Sequence, residues 1–111
     1  MGAFDILGDP VRRRILELLA EDALTSGQIV EVIRAEHGIT QAAVSQHLRV
    51  LREAGFATVT PEGTRRIYTL DPAPLAEVDA WLSRFRAVWE PKLAAIETEV
   101  ARGKKARRQT R

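Results

Sequence analysis

Apolar positions recur at helical spacing along most of this chain and alternate in one short stretch only, which predicts a mainly helical fold with a single small strand pair. Phe4, Ile6 and Leu7 form an apolar lead-in before Gly8. Asp9-Pro10 then opens a helix, because Asp can accept from the free N–H groups of a first turn and Pro gives up a donor that would be unpaired there. Val11, Ile15, Leu18 and Leu19 fall on one side of that helix, with Arg12, Arg13 and Glu17 largely opposite. The basic run at positions 12–14 reads as a solvated first turn, with a DNA contact as the alternative.

Residues 25–70 carry the densest set of signals. Thr25-Ser-Gly-Gln28 has the spacing of a capping box, so a helix is expected from about Ser26 to His37 with Ile29, Val30, Val32 and Ile33 as its apolar positions. Gly38 stands where a helix ends in positive φ. Thr40 can cap a second helix over 41–54, closed by Gly55, in which Val44, Leu48 and Leu51 form one buried stripe. At about 100° of rotation per residue, Gln41, Ala42, Ser45, Gln46, Arg49 and Arg52 project from the other side. Residues 56–60 and 65–70 then read as paired strands joined by Pro61-Glu-Gly-Thr64, with Thr64, Arg65 and Arg66 at the tip. The order is a helix-turn-helix followed by a β-wing, whose second helix suits the DNA major groove. Its outer face has base-reading chemistry: Gln pairs with adenine, Arg with guanine, an Ala methyl meets a thymine methyl.

Asp71-Pro-Ala-Pro74 punctuates the chain before a long apolar stripe at Leu75, Val78, Leu82, Phe85, Trp89, Leu93, Ile96 and Val100, widened by Trp81 and Val88. Pro91 is expected to kink it or split it into two helices. A stripe of this length suits a dimer interface anchored by Trp81, Phe85 and Trp89; packing onto the helix of Val11 to Leu19 is the alternative.

At 111 residues the chain suits one domain, 1–101, followed by a segment, 102–111, expected to be disordered. The net charge of +2 hides a split: residues 1–101 hold 11 Lys or Arg against 15 acids, and 102–111 hold six basic residues and no acid. Attraction to phosphate therefore has to come from local patches, either Arg49, Arg52, Arg65 and Arg66 or the terminal segment, which is a phosphate-seeking arm or merely a solubilising end. No apolar run nears the roughly 20 residues of a membrane span and no secretory signal is seen, so a soluble, cytoplasmic protein with no membrane partner is expected. Cysteine is absent, which fits a reducing compartment and removes thiolate ligands.

Catalytic chemistry is missing. Ser45 and His47 lie two apart on one helix and point in different directions; no Gly-rich phosphate loop or paired-carboxylate motif occurs. No enzymatic activity, no metal site and no cofactor are expected.

The segment Gln41-Ala-Ala-Val-Ser-Gln-His-Leu-Arg-Val-Leu-Arg-Glu-Ala-Gly55 resembles the ArsR family of bacterial winged helix-turn-helix repressors. Leu7-Gly-Asp-Pro-Val-Arg-Arg-Arg-Ile-Leu-Glu-Leu-Leu19 is similar to the family's opening helix, and Gly63-Thr-Arg-Arg-Ile-Tyr-Thr-Leu70 to its wing. The Trp81, Phe85, Trp89, Leu93 pattern is similar to the C-terminal helices of the SdpR-type autorepressor branch. The resemblance implies a mainly α fold with a small β-hairpin wing and long C-terminal dimerisation helices. It implies a homodimer on an imperfect palindrome of double-stranded DNA, with Phe4, Leu7, Trp81, Leu82, Phe85, Trp89, Leu93 and Ile96 at the interface. By the same likeness Thr40, Gln41, Ala42, Ser45, Gln46, Arg49 and Arg52 would approach DNA from the helix, and Thr64, Arg65 and Arg66 from the wing. Metal sensing does not transfer, since the Cys, Asp, His and Glu ligand patterns of metal-responsive members are missing. The function expected is a sequence-specific repressor; the alternatives are a winged-helix protein-interaction module, or a repressor released by a small-molecule inducer.

Overall fold

A computed structural model describes the backbone of residues 2–109 and the side chains of residues 2–103. The elements run α1 (Ala3–Leu7), α2 (Pro10–Glu21), β1 (Leu24–Thr25), α3 (Ser26–His37), α4 (Gln41–Glu53), β2 (Ala57–Glu62), β3 (Arg65–Leu70), α5 (Ala73–Ser83) and α6 (Arg86–Gln109). They divide into two compact units, Met1–Val78 and Asp79–Arg111.

Local chemistry sets the helix ends of the first unit. The Asp9 carboxylate accepts from the N–H groups of Val11 and Arg12 at 2.8 and 3.1 Å, with Pro10 at the first helical position. Thr25 and Gln28 form the reciprocal capping box, at 3.1 and 2.9 Å. Thr40 Oγ1 accepts from Ala43 N–H at 3.1 Å, and α3 ends on Gly38 at φ +66°. At the far end of α4 the Gly55 N–H donates to Arg52 O and the Phe56 N–H to Leu51 O, the two bonds of a Schellman motif, with Gly55 at φ +81°. That turn delivers Phe56, fully buried, straight into the core.

The core gathers Ile6 of α1, Ile15, Leu16 and Leu19 of α2, Ile29 and Ile33 of α3, and Val44, Leu48 and Leu51 of α4, closed by Phe56, Ala57 and Tyr68. The buried stripe of α4 is the expected one; on α2, Leu16 is buried where Val11 and Leu18 are only half-buried.

The lead-in at Phe4, Ile6 and Leu7 is itself a short helix, α1, and it explains the basic run. Arg12 donates to Ile6 O at 3.1 Å and Asp5 O at 2.9 Å, and Arg13 donates to Leu7 O at 2.6 Å, so two guanidiniums hold the last carbonyls of α1. Arg14 forks onto Glu36 with contacts of 2.9 to 3.2 Å, tying α2 to α3. The solvated-turn reading of residues 12–14 is thereby corrected: these cations brace the scaffold.

The wing is an antiparallel sheet in the order β1-β3-β2. β3 lies at its centre, with Leu24↔Tyr68 and Thr25↔Ile67 on one side and Val59↔Tyr68 and Glu62↔Arg65 on the other. The corner is tighter than expected: Pro61 and Glu62 belong to β2, leaving Gly63 and Thr64 as a two-residue turn with Gly63 at φ +62°. Pro61 is tolerated because β2 is an edge strand, where a missing N–H breaks no ladder. β1 is an addition to the expected strand pair.

In the second unit the chain breaks between α5 and α6, at residues 84–85, where Arg84 and Phe85 donate to Trp81 O and Leu82 O in tight i−3 bonds. Pro91, expected to cause the break, instead lies inside α6. The backbone of 102–109, read from sequence as disordered, continues α6; residues 110 and 111 lie outside the described residues. Among the described residues no helix is long and apolar enough to cross a membrane.

Candidate nucleic-acid interface

The interface is built on α4. Because Val44, Leu48 and Leu51 are at most 2% exposed, the helix is fixed in rotation, and Gln41, Ala42, Ser45, Gln46, Arg49 and Arg52 all lie exposed on its other side. Thr40 is exposed too, with its oxygen engaged in capping. Arg49 Nε is paired with Glu53 Oε1 at 3.1 Å, one turn on. Such an exposed i,i+4 pair is weak, about 0.3–0.5 kcal/mol, so a phosphate can outcompete Glu53 for this guanidinium.

Two clefts bring the wing to the helices. One, of about 660 Å³, runs between the start of α3 and the wing tip, lined by Thr25, Ser26, Gln28 and Glu31 against Thr64, Arg65 and Arg66. The other, of about 270 Å³, is framed by Ser26, Ser45, Arg49, Arg52 and Arg66 over a floor of Leu48 and Tyr68. Arg66 borders both, whereas Thr64 and Arg65 border only the first. The expected site residues thus divide: Ser45, Arg49, Arg52 and Arg66 meet in one cleft, and the wing tip stands apart with the start of α3.

Ser26 and Gln28 were not among the residues read from sequence as DNA-facing. They reach the site through β1, whose Thr25↔Ile67 pairing sets Ser26 beside Arg66. The capping box was the available signal, and on its own it marks only a helix start.

The underside of α4 has different chemistry. His47 is half-buried and its Nδ1 has no hydrogen-bond partner. Burial works to raise the Asp9 carboxyl, but the Arg12 and Val11 N–H groups and the charges of His47 and Arg12 outweigh it and hold that carboxyl below its ordinary value. Arg14's fork likewise holds Glu36 below the usual carboxylate range, with the charges of Arg14 and His37 adding to it against some desolvation. Ser45 faces outward on α4 while His47 Nδ1 is enclosed, so the two form no nucleophile–base pair.

A Helix-turn-helix domain model matches residues 7–60, which takes in the α3–α4 pair and the start of the wing. The HTH-type transcriptional regulator Rv2034 of Mycobacterium tuberculosis is 41% identical over 83 residues, covering 75% of this chain and 74% of that protein. The transcriptional repressor SdpR of Bacillus subtilis is 32% identical over 83 residues, covering 74% of this chain and 87% of the repressor. Among solved structures, the crystal structure of the ArsR family transcriptional regulator RHA00566 superposes with a TM-score of 0.65 at 26% identity, over 80% of this chain and 88% of that one. Sequence and fold order agree, and the chain belongs to the ArsR family of winged helix-turn-helix transcriptional regulators, DNA-binding proteins that are not enzymes.

Proposed function

We propose that this regulator is a homodimeric repressor that binds an imperfect palindromic operator and blocks transcription by occupying it. The observation that carries the reading is the two-sidedness of α4: an apolar side locked in the core and an exposed side of Gln41, Ala42, Ser45, Gln46, Arg49 and Arg52, with Arg66 of the wing beside it. Gln46 and Gln41 carry the paired donor and acceptor that recognise adenine, and Arg49 and Arg52 the fork that suits guanine or phosphate. Thr64 and Arg65, at the wing tip, follow the backbone or enter the minor groove.

Dimerisation is supported by apolar surface. Phe85, Leu93 and Ile96 are 41%, 55% and 56% exposed, and Trp81, Leu82, Phe85, Val88 and Trp89 line an apolar groove of about 290 Å³ in the second unit. In the first unit Phe4 is exposed and Leu7 half-buried. Contiguous apolar surface of this kind marks an interaction site. Repression is supported by the likeness to SdpR, named a transcriptional repressor.

Footprinting the purified protein on the DNA upstream of its own gene tests the reading. Protection of two related half-sites about one helical turn, or about 10 base pairs, apart is expected. Protection no different from that on unrelated DNA would overturn it.

A further inference from the structure

Arg49 and Glu53 form a pair that helix stability does not explain. The order along α4 is Arg first and Glu one turn later, the weaker polarity for an i,i+4 pair. Glu53 is also the last residue of α4, where a carboxylate meets the negative end of the helix dipole. Both side chains are exposed, so packing fixes neither of them.

What sets the pair apart is the nitrogen it uses. Arg14 commits Nε and Nη2 together to Glu36, and Arg12 commits the same two to the carbonyls of Ile6 and Asp5. Arg13 and Arg86 bind through a terminal nitrogen. Arg49 alone among the described residues is held only by Nε, which donates to Glu53 Oε1 at 3.1 Å. Its terminal nitrogens make no hydrogen bond among the described residues, and together they form an edge that can donate two parallel bonds. Arg49 borders the cleft of Ser45, Arg52 and Arg66, whereas Glu53 does not line it, so the holding carboxylate stands outside that cleft.

We infer that Glu53 is a positioning residue for Arg49 and, through it, a determinant of sequence specificity. It fixes the guanidinium by Nε and presents the terminal edge to a base of the operator, guanine being the base whose O6 and N7 match that edge. The carboxylate has a second effect of opposite sign. Being negative, it repels the phosphates of any duplex and weakens binding wherever the presented edge finds no base. A phosphate can take the whole guanidinium from Glu53, whereas a base meeting the terminal nitrogens leaves the Nε bond in place. Orientation helps one sequence and charge penalises all of them, and the difference is discrimination. The base-reading part rests on the operator-binding reading above; the hold on Arg49 does not.

The test compares wild type, Glu53→Ala and Glu53→Gln on operator and on unrelated duplex. Gln keeps an oxygen that accepts from Nε and loses the charge, so the two substitutions separate the two effects. Glu53→Ala is expected to bind the operator about tenfold more weakly as a dimer, part of what a bidentate contact in each half-site contributes, and to lose preference at one base pair of each half-site. On unrelated DNA the same variant should bind about threefold more tightly at low salt, a gain that fades as salt screens it. Glu53→Gln should keep the base preference and share the gain on unrelated DNA. A merely structural role would move both duplexes in one direction. Equal tightening on both by both substitutions would make Glu53 a competitor that DNA displaces and overturns the inference, as does a Glu53→Ala variant that keeps the full base preference.

A second readout needs no DNA. The Hε signal of Arg49, assigned by its loss in Arg49→Lys, is followed by exchange with water in the free protein. It should exchange more slowly in wild type and Glu53→Gln than in Glu53→Ala, and equal exchange in wild type and Glu53→Ala overturns the hold. A wild type that prefers no sequence, together with slow exchange that depends on Glu53, removes the operator reading and leaves the hold standing. Unchanged circular dichroism establishes that the variants fold.

Discussion

Asp9 bears on both ends of the regulator's scaffold, since its carboxylate caps α2 and its charge faces His47 beneath α4. Asp9→Ala should destabilise the fold by about 1 kcal/mol at pH 7, the usual worth of an N-cap, read as a lower midpoint in urea. The effect depends on pH in a set direction. The folded carboxyl titrates below its unfolded value, so its stabilisation is fully present above about pH 4 and fades as pH drops through the folded pKa. The gap between wild type and Asp9→Ala should therefore close on acidification; a gap that widened would mean that the Asp9 charge is not what stabilises α2. Gln46 sits on the opposite, exposed face of the same helix. Gln46→Ala should flatten discrimination at one base pair of each half-site by about 1–3 kcal/mol, measured across an operator variant panel. A uniform loss over the whole panel would assign Gln46 to the backbone instead.

The wing acts as an element, because Arg65 and Arg66 are neighbours on one strand that share the larger cleft, and Arg66 borders the smaller one as well. Replacing both by Ala should weaken operator and unrelated DNA alike and lower the salt slope by up to about 4 for a dimer, since each lost contact no longer releases a counterion. Unchanged affinity and slope would remove the wing from the interface. The wing also shows where sequence is informative and where it stops. Helix ends were legible because each is written in neighbouring residues: Asp9-Pro10, the Thr25–Gln28 box, Thr40, Gly38 and Gly55. The rotation of α4, and with it the exposed face, was legible because a stripe of Val44, Leu48 and Leu51 admits only one buried side. β1 was not, since two residues carry no alternation; it exists only through pairing with a strand about forty positions later. The meeting of Ser26 with Arg66 depends on that pairing and was hidden with it. The break near residue 84 was misplaced to Pro91 for a similar reason: a proline is visible in sequence, whereas two i−3 hydrogen bonds at Arg84 and Phe85 are not.

At the scale of the whole molecule, charge and apolar surface pull in different directions, and the proposed dimer would reconcile them. Residues 1–101 carry 15 acids against 11 bases, so a single copy offers DNA little attraction beyond the α4 and wing cations and the basic segment 102–111. In the proposed dimer, two copies held together would double those local cations along one duplex and place two reader helices on successive half-sites, converting the second contact into an intramolecular one. The described part of α6 has no buried residue, yet Val88, Leu93, Ile96 and Val100 along it are more than half exposed. Leaving that stripe in water forgoes about 25 cal/mol for each Å² that a partner could cover, which is the driving force for pairing. Replacing Leu93 and Ile96 together by Glu adds two like charges to each copy without touching α4 or the wing, so helix content should stay unchanged. Sedimentation should then show a monomer at concentrations where wild type is a dimer, and operator affinity should fall at least tenfold while binding to a lone half-site is kept. A variant that remained dimeric would place the interface on another surface, and a variant that was monomeric yet bound the full operator as tightly as wild type would show that operator recognition does not require the pair.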